Sequence, residues 1–172
     1  RHRGPDGSGE RTVGPTWLGH VRLAIVDLDE GDQPLGPAGG HWAVVNGEIY
    51  NHHELRRVSG LHFADDATDS DSEAALAAAV TGDLDALADL RGMFAFVVAH
   101  PDGRIAAVRD PLGVKPLYWA QFDGRTYFAS ELIAFEPELR QHVEAFPPGF
   151  RWTPEEGLVR FRELHVGGEP VP

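Results

Sequence analysis

Three features of this chain stand where they could do chemistry: an arginine inside an apolar run, an Asn-Gly pair, and a carboxylate at a helix start. Arg22 lies between Val21 and Leu23 in an otherwise apolar segment. A charge there must find a partner or reach solvent. Its planar fork suits a carboxylate gripped by two parallel bonds. The plain alternative is a structural ion pair, or a strand edge that meets water. Asn46-Gly47 is the best short hairpin signal available, yet Glu48 to Asn51 leads on into a capped helix rather than a returning strand. Two readings stay open: a tight turn, or an exposed strand-to-helix loop where the Asn amide and the Gly N–H converge on one oxygen, as in an oxyanion hole. Asp71 follows Ser70 in the first turn of a helix. It either complements the positive end of the helix dipole or faces a ligand amine.

Other chemistries find no support. Nine His are present, none at the spacing of a zinc-binding helix. Surface or structural roles are expected of them, with His52 and His53 pointing to different sides of any helix. The chain lacks G-x-x-x-x-G-K-[ST] and G-x-S-x-G. Residues 63 to 90 carry Asp65, Asp66, Asp69, Asp71, Glu73, Asp83, Asp85 and Asp89 with no Lys or Arg. Asp69, Asp71 and Glu73 alternate as in a calcium loop, but the central Gly and distal Glu of an EF-hand are absent, so this run reads as a solvated helical face. There is no Cys, hence no disulfide, thiolate metal site or cysteine nucleophile within these residues.

The elements that must hold the candidates can be read from periodicity and turn residues. Arg1 to Pro15 is Gly/Pro-rich and reads as loop. Trp17 to Asp27 alternates as a strand. Glu30 to Gly40 reads as a connection, and His41 to Val45 as a short strand. Asn51 with Glu54 forms a capping box for a short helix. Ser70, as N-cap, opens a second helix over the alanine-rich run Ala74 to Val80, which Gly82 stops. Asp83 to Leu90 makes a third. Met93–Ala99, Ile105–Val108, Leu117–Phe122 and Thr126–Ala129 are strands joined by turns at Pro101 to Gly103 and Asp123-Gly124, and Leu158–Phe161 is one more. Helices in the middle with antiparallel strands at both ends indicate an α+β fold rather than βαβ repeats.

Composition sets the outer bounds. The 172 residues suffice for one domain with a sizeable core. Hydrophobic residues make up 42% and charged residues 24%, near the globular average. Lys and Arg number 15 against 27 Asp and Glu, a formal charge of −12, which argues against nucleic acid or anionic membrane as a partner. No apolar stretch approaches a membrane span and no signal peptide opens the chain, so a cytoplasmic location is expected. Lys115 is the sole lysine; the Arg bias, with abundant Ala and Gly, points to a GC-rich genome. A first residue of Arg1 rather than Met is expected of a fragment or processed chain, and Gly167 to Pro172 of a linker.

Eight blocks in order carry a resemblance. They are Arg1-His2-Arg3-Gly4-Pro5-Asp6-Gly7, Leu18 to Asp27, Gln33-Pro34-Leu35, Asn46-Gly47-Glu48-Ile49-Tyr50-Asn51, Ser70-Asp71-Ser72-Glu73, Gly92-Met93-Phe94-Ala95-Phe96, Arg109 to Tyr118, and Ala129-Ser130-Glu131. Together, from Arg1 to about Gly149, they resemble the glutaminase domain of glutamine-hydrolysing asparagine synthetases, a class II glutamine amidotransferase. The resemblance implies an N-terminal-nucleophile (Ntn) hydrolase fold: a four-layer αββα sandwich of two antiparallel sheets between helical layers. It implies that residues 1–166 form the amidotransferase domain and that 167–172 begin a linker to a synthetase domain. In that family an N-terminal Cys attacks the side-chain amide of glutamine, its own α-amine acts as base, and the ammonia moves to a second domain where ATP, with Mg, has activated aspartate. By resemblance, Arg22 anchors the glutamine α-carboxylate, Asn46 and Gly47 form the oxyanion hole, Glu48 and Asp71 hold the α-amine, and the backbone at Ile25 and Val26 forms the pocket wall. No cofactor is implied for this domain itself. The implied partners are glutamine and the synthetase domain of the same protein, with a homodimer allowed.

The chain departs from that pattern at one point. In the family a short segment bearing the Cys and the N-terminal strand or strands precedes the Arg-His-Arg-Gly-Pro-Asp-Gly block, and here the chain opens inside the block. As given, it is expected to have no glutaminase activity, because no thiol exists to form an acyl intermediate. Two readings of the full protein follow: a glutaminase half of an asparagine synthetase-like enzyme, or a degenerate Cys-less domain of a β-lactam-synthetase-like enzyme with a structural role. The intact set Arg22, Asn46, Gly47, Glu48 and Asp71 favours the first.

Overall fold

A computed structural model describes residues 7–22, 32–57, 61, 63 and 70–163. Eleven strands and three α-helices lie among them: β1 (Gly7–Val13), β2 (Thr16–Arg22), β3 (Leu35–Ala38), β4 (His41–Ile49), α1 (His52–Leu55), α2 (Ser72–Val80), α3 (Leu84–Ala88), β5 (Gly92–Ala99), β6 (Ile105–Arg109), β7 (Tyr118–Phe122), β8 (Arg125–Ala129), β9 (Glu144–Ala145), β10 (Phe150–Thr153) and β11 (Gly157–Arg160). Two single-turn 3-10 helices, Leu132–Ala134 and Arg140–His142, lie between β8 and β9. All strand pairing is antiparallel. The main sheet runs β11-β10-β6-β5-β4-β3, a second sheet β8-β7-β9, and β1-β2 form a separate hairpin.

Alternation along β4 and β5 divides the core in two. Ala43, Val45 and Ile49, with Phe94, Phe96 and Val98, pack under the helices against Ala74, Ala75 and Ala78. The other face carries Trp42 and Val44 with Ala95, Val97 and Ala99, and meets Trp119, Phe128, Phe146, Trp152 and the hairpin residues Val13 and Leu18. Trp152 of β10 lies 5.8 Å from Trp119 and 5.6 Å from Phe128, ring centre to ring centre, so aromatic edges join the two sheets. The outer face of the second sheet, with Ala120, Tyr118 and Tyr127, is covered by Phe135 and Leu139 of the segment between the 3-10 helices. The expected helix–sheet–sheet order is therefore present. Among the described residues its fourth layer is a pair of 3-10 turns. Pro137 interrupts that segment, and a proline cannot sit inside a continuous helix.

Several expected boundaries shift. Gly7–Val13, expected to be loop, is a strand whose partners are Arg22 through Thr16. It alternates poorly because Glu10, Arg11 and Thr12 are exposed. β4 runs to Ile49 rather than ending at Val45, β3 lies in the stretch expected to be a connection, and β10 lies where no element was expected. The end of the predicted strand beyond Arg22 lies outside the described residues. Among the described residues no helix is long and apolar enough to cross a membrane.

Candidate active site

Asn46-Gly47 stands inside β4, paired with Ala95 and Phe94 of β5, which corrects both the turn and the loop expected from the dipeptide. Gly47 is needed for a different reason. Its φ is +149°, and a Cβ there would lie 2.1 Å from the Met93 carbonyl oxygen and 2.6 Å from Phe94 Cα. Only glycine lets β4 lie this close to β5 at this φ.

Gly47 sits on a strand edge with unusual partners. In an antiparallel ladder the N–H and C=O of one residue point to the same side, and successive residues alternate. Tyr50 donates to Arg91 O on the β5 side (2.7 Å), whereas Val45 donates to Gln33 Oε1 (2.6 Å) and Ile49 to Asp71 Oδ2 (2.6 Å) on the opposite side. By this alternation the Gly47 N–H faces that same edge, between two N–H groups held by side chains. Asn46 shares the sheet face of Trp42 and Val44. Its Nδ2 is buried and has no hydrogen-bond partner among the described residues. An unpaired buried amide donor costs about 1–3 kcal/mol, and a bound ligand is one way that cost is met.

Asp71 reaches this edge because α2 brings it there. The regular helix runs from Ser72, and Asp71 just before it is already in helical conformation (φ −64°, ψ −30°), so Ser70 stands where the chain enters the first turn, as expected. The Asp71 side chain does not cap the helix; it accepts the Ile49 N–H instead. Arg56, just past α1, fixes the helix start by donating to Ser70 O (3.1 Å) and Glu73 Oε2 (3.3 Å). Asn51 does not form the expected capping box either. Its side chain donates to Asp89 O (3.0 Å) and accepts from Arg91 N (2.9 Å), tying the end of β4 to the start of β5.

A cleft of about 2450 Å³ runs past Asn46, Gly47, Glu48 and Asp71, with residues of β2 and β8 on its other walls. That is more than the roughly 300–1,000 Å³ of a typical small-molecule pocket. Glu48 is exposed in it. Arg22 ends β2 opposite Gly7, and its side chain lies outside the described residues, as do Ile25 and Val26 entirely. The structure therefore brings together Asn46, Gly47, Glu48 and Asp71 of the predicted set. It adds Gln33, Asn51 and a loop clamp that the sequence reading missed. In that clamp the fully buried Asp110 accepts from the backbone N–H of Phe94, Leu112, Val114 and Lys115, while Arg109 donates to the carbonyls of Gly113, Lys115 and Phe146. Each lies in a block quoted above or in a helix-cap position, but no periodicity marks a side chain that pairs with distant backbone. No cluster of three metal-ligating side chains occurs among the described residues. The His52 and His53 rings, expected to diverge, lie 3.9 Å apart.

Comparison with known proteins gives this geometry its setting. The chain is 42% identical over 164 residues to asparagine synthetase [glutamine-hydrolyzing] 3 of Arabidopsis thaliana, covering 93% of this chain and 28% of that protein. It is 40% identical over 163 residues to asparagine synthetase B [glutamine-hydrolyzing] of Escherichia coli, covering 93% and 29%. It thus spans little more than a quarter of the length of these relatives. Among solved structures, the glutamine phosphoribosylpyrophosphate amidotransferase of B. subtilis superposes with a TM-score of 0.63 at 24% identity, over 85% of this chain and 35% of that one. That likeness establishes the fold, of the Ntn-hydrolase type. A family profile described as a glutamine amidotransferase domain matches residues 1–150, and the chain belongs to that family.

Proposed function

We propose that this domain is the glutamine-hydrolysing half of an asparagine synthetase-like amidotransferase. The observation that carries the proposal is the buried Nδ2 of Asn46, which has no partner among the described residues and lies next to the edge that the Gly47 N–H faces. A glutamine side-chain amide bound there would place its oxygen where both N–H groups point. Thiolate attack adds an electron pair to the amide carbon and drives the oxygen to an oxyanion. Collapse of that tetrahedral species expels the nitrogen, once protonated, as ammonia, and water later releases glutamate. With no Cys in the 172 residues, the thiol would come from outside them. Asp71 and Glu48 supply the negative charge a free α-amine needs, and Arg22 the cation for its α-carboxylate. Ammonia would serve a synthetase domain of the same protein, where ATP and Mg activate aspartate or a related acid.

The test is Asn46→Ala in the full-length protein. The ground-state amide oxygen is nearly neutral, so substrate binding should change little. The transition-state anion loses a preorganised donor, which typically lowers turnover by ~10²–10³. Ammonia-dependent synthesis should continue unchanged. A loss confined to KM for glutamine, or an equal loss with ammonia as nitrogen donor, would refute the oxyanion role.

A further inference from the structure

The ladder between β3 and β4 pairs Leu35 with Ala43 and goes no further. The next residues in line are Gln33 and Val45. The Gln33 backbone has left the ladder, and its side chain fills the vacant step: Oε1 accepts the Val45 N–H at 2.6 Å and Nε2 donates to Val45 O at 3.0 Å. A primary amide has the donor and acceptor of a peptide group in one plane, so these two bonds reproduce a strand pair. On its other side the Gln33 backbone lies against β1, so closely that a Cβ on Gly9 would be 2.0 Å from the Gln33 carbonyl oxygen. One residue therefore bridges the hairpin whose second strand ends at Arg22 and the strand that carries Asn46 next to Val45.

We infer that Gln33 is a positioning residue for amide hydrolysis, holding Asn46 in place through the Val45 backbone. The inference rests on the oxyanion reading of Asn46. Its physical basis is that a site on a strand edge must leave that edge unpaired where the ligand binds, and unpaired edges are free to shift. Here the edge is pinned on both sides of Gly47, by Gln33 at Val45 and by Asp71 at Ile49. Side chains can pin single residues without covering the one between them, which a continuous neighbouring strand could not do. A small displacement of a preorganised donor is enough to cost about 10- to 100-fold in rate.

Two variants of the full-length protein test this. Gln33→Met keeps the length and loses both bonds; it should lower kcat for glutamine hydrolysis at least ~10-fold, with KM for glutamine and ammonia-dependent synthesis nearly unchanged. Gln33→Glu has a signature that mere structural damage would not give. Its ionised carboxylate accepts from Val45 N but repels Val45 O, whereas the protonated acid can again accept and donate. Its kcat relative to the parent should therefore recover as pH falls, while the Gln33→Met ratio stays flat. A Met variant with parental kcat, or a Glu variant whose ratio does not change with pH, overturns the inference. Should Gln33→Met fail to fold, the Glu profile decides alone. If Asn46→Ala itself leaves turnover intact, the reading of the site has failed. Hydrogen exchange at the Val45 amide, expected to quicken in Gln33→Met, then decides whether Gln33 holds the strand.

Discussion

Gly47 and Gly124 both have positive φ, at +149° and +70°, but for different reasons. Gly124 follows Asp123 in the β7–β8 turn, and a Cβ there would meet nothing within 4 Å. Gly47 has the Met93 carbonyl and Phe94 Cα in the space a Cβ needs. Gly47→Ala should therefore destabilise the domain by more than the roughly 1–3 kcal/mol that backbone strain alone costs, and Gly124→Ala by no more than that, as read from urea midpoints at equal m. Equal losses would show that the approach of β5 plays no part. The same residue shows where sequence reading runs out. Asn-Gly is a turn signal because of what the two residues do to their own backbone, and nothing local records that a neighbouring strand lies against them. Residue type singled out Asn46, Gly47 and Asp71, which the structure brings to one edge of β4. Gln33 and Asn51 were not singled out, because an amide that pairs with backbone 12 or 40 residues away has no spacing rule.

At the scale of elements, α2 explains how the carboxylate reaches the edge. Ala74, Ala75 and Ala78 are fully buried against the main sheet. Alanine adds no bulk, so the helix lies close enough for Asp71 Oδ2 to stand 2.6 Å from Ile49 N. Ala78→Leu should cost about 1–3 kcal/mol through overpacking. It should also quicken amide exchange at Ile49, because lifting the helix stretches that bond. Unchanged stability with Ile49 still protected would mean that the close packing does not set the contact. Elements with a strong local signal were legible: the alanine run of α2, the apolar β5, and the β7–β8 hairpin with its Asp-Gly turn. β1 was not, since an exposed strand of Ser, Glu, Arg and Thr has no apolar face to alternate. Its strand state comes from pairing with β2 and from the closeness of Gly9 to Gln33, both of them tertiary facts.

For the molecule as a whole, two effects of pH act in opposite directions. The formal charge of −12 and pI of about 5.0 mean that acidification from neutrality relieves self-repulsion and favours the folded state. The His41–His100 pair opposes it. It sits at the far end of β4 from Asn46, five residues and so roughly 17 Å away at ~3.3 Å per residue. His41 Nδ1 lies 3.0 Å from Ala38 O, which can only accept, so that nitrogen carries a proton; while the His41 ring is neutral its Nε2 can accept from His100 Nδ1 at 3.2 Å, and the two rings repel once both are charged. Burial lowers the His100 pKa below the ordinary 6.5, His41 and Arg104 lower it further, and Asp102 and Glu155 pull the other way. The folded state thus binds this proton less readily than the unfolded chain. The contribution to stability is complete above pH 6.5 and is lost as pH falls from there to the folded value. Asp102, whose own pKa Arg104 holds down, acts only below its ordinary 3.8 and so outside this window. Since charge relief and His100 oppose each other, the profile of the parent protein alone does not separate them. His100→Asn does, because its Nδ2 can still donate towards His41 while the titrating ring is gone. Between pH 7.5 and 5.5 the parent should lose more Tm, or gain less, than His100→Asn. Parallel profiles over that range would mean that His100 titrates alike in the folded and unfolded chains.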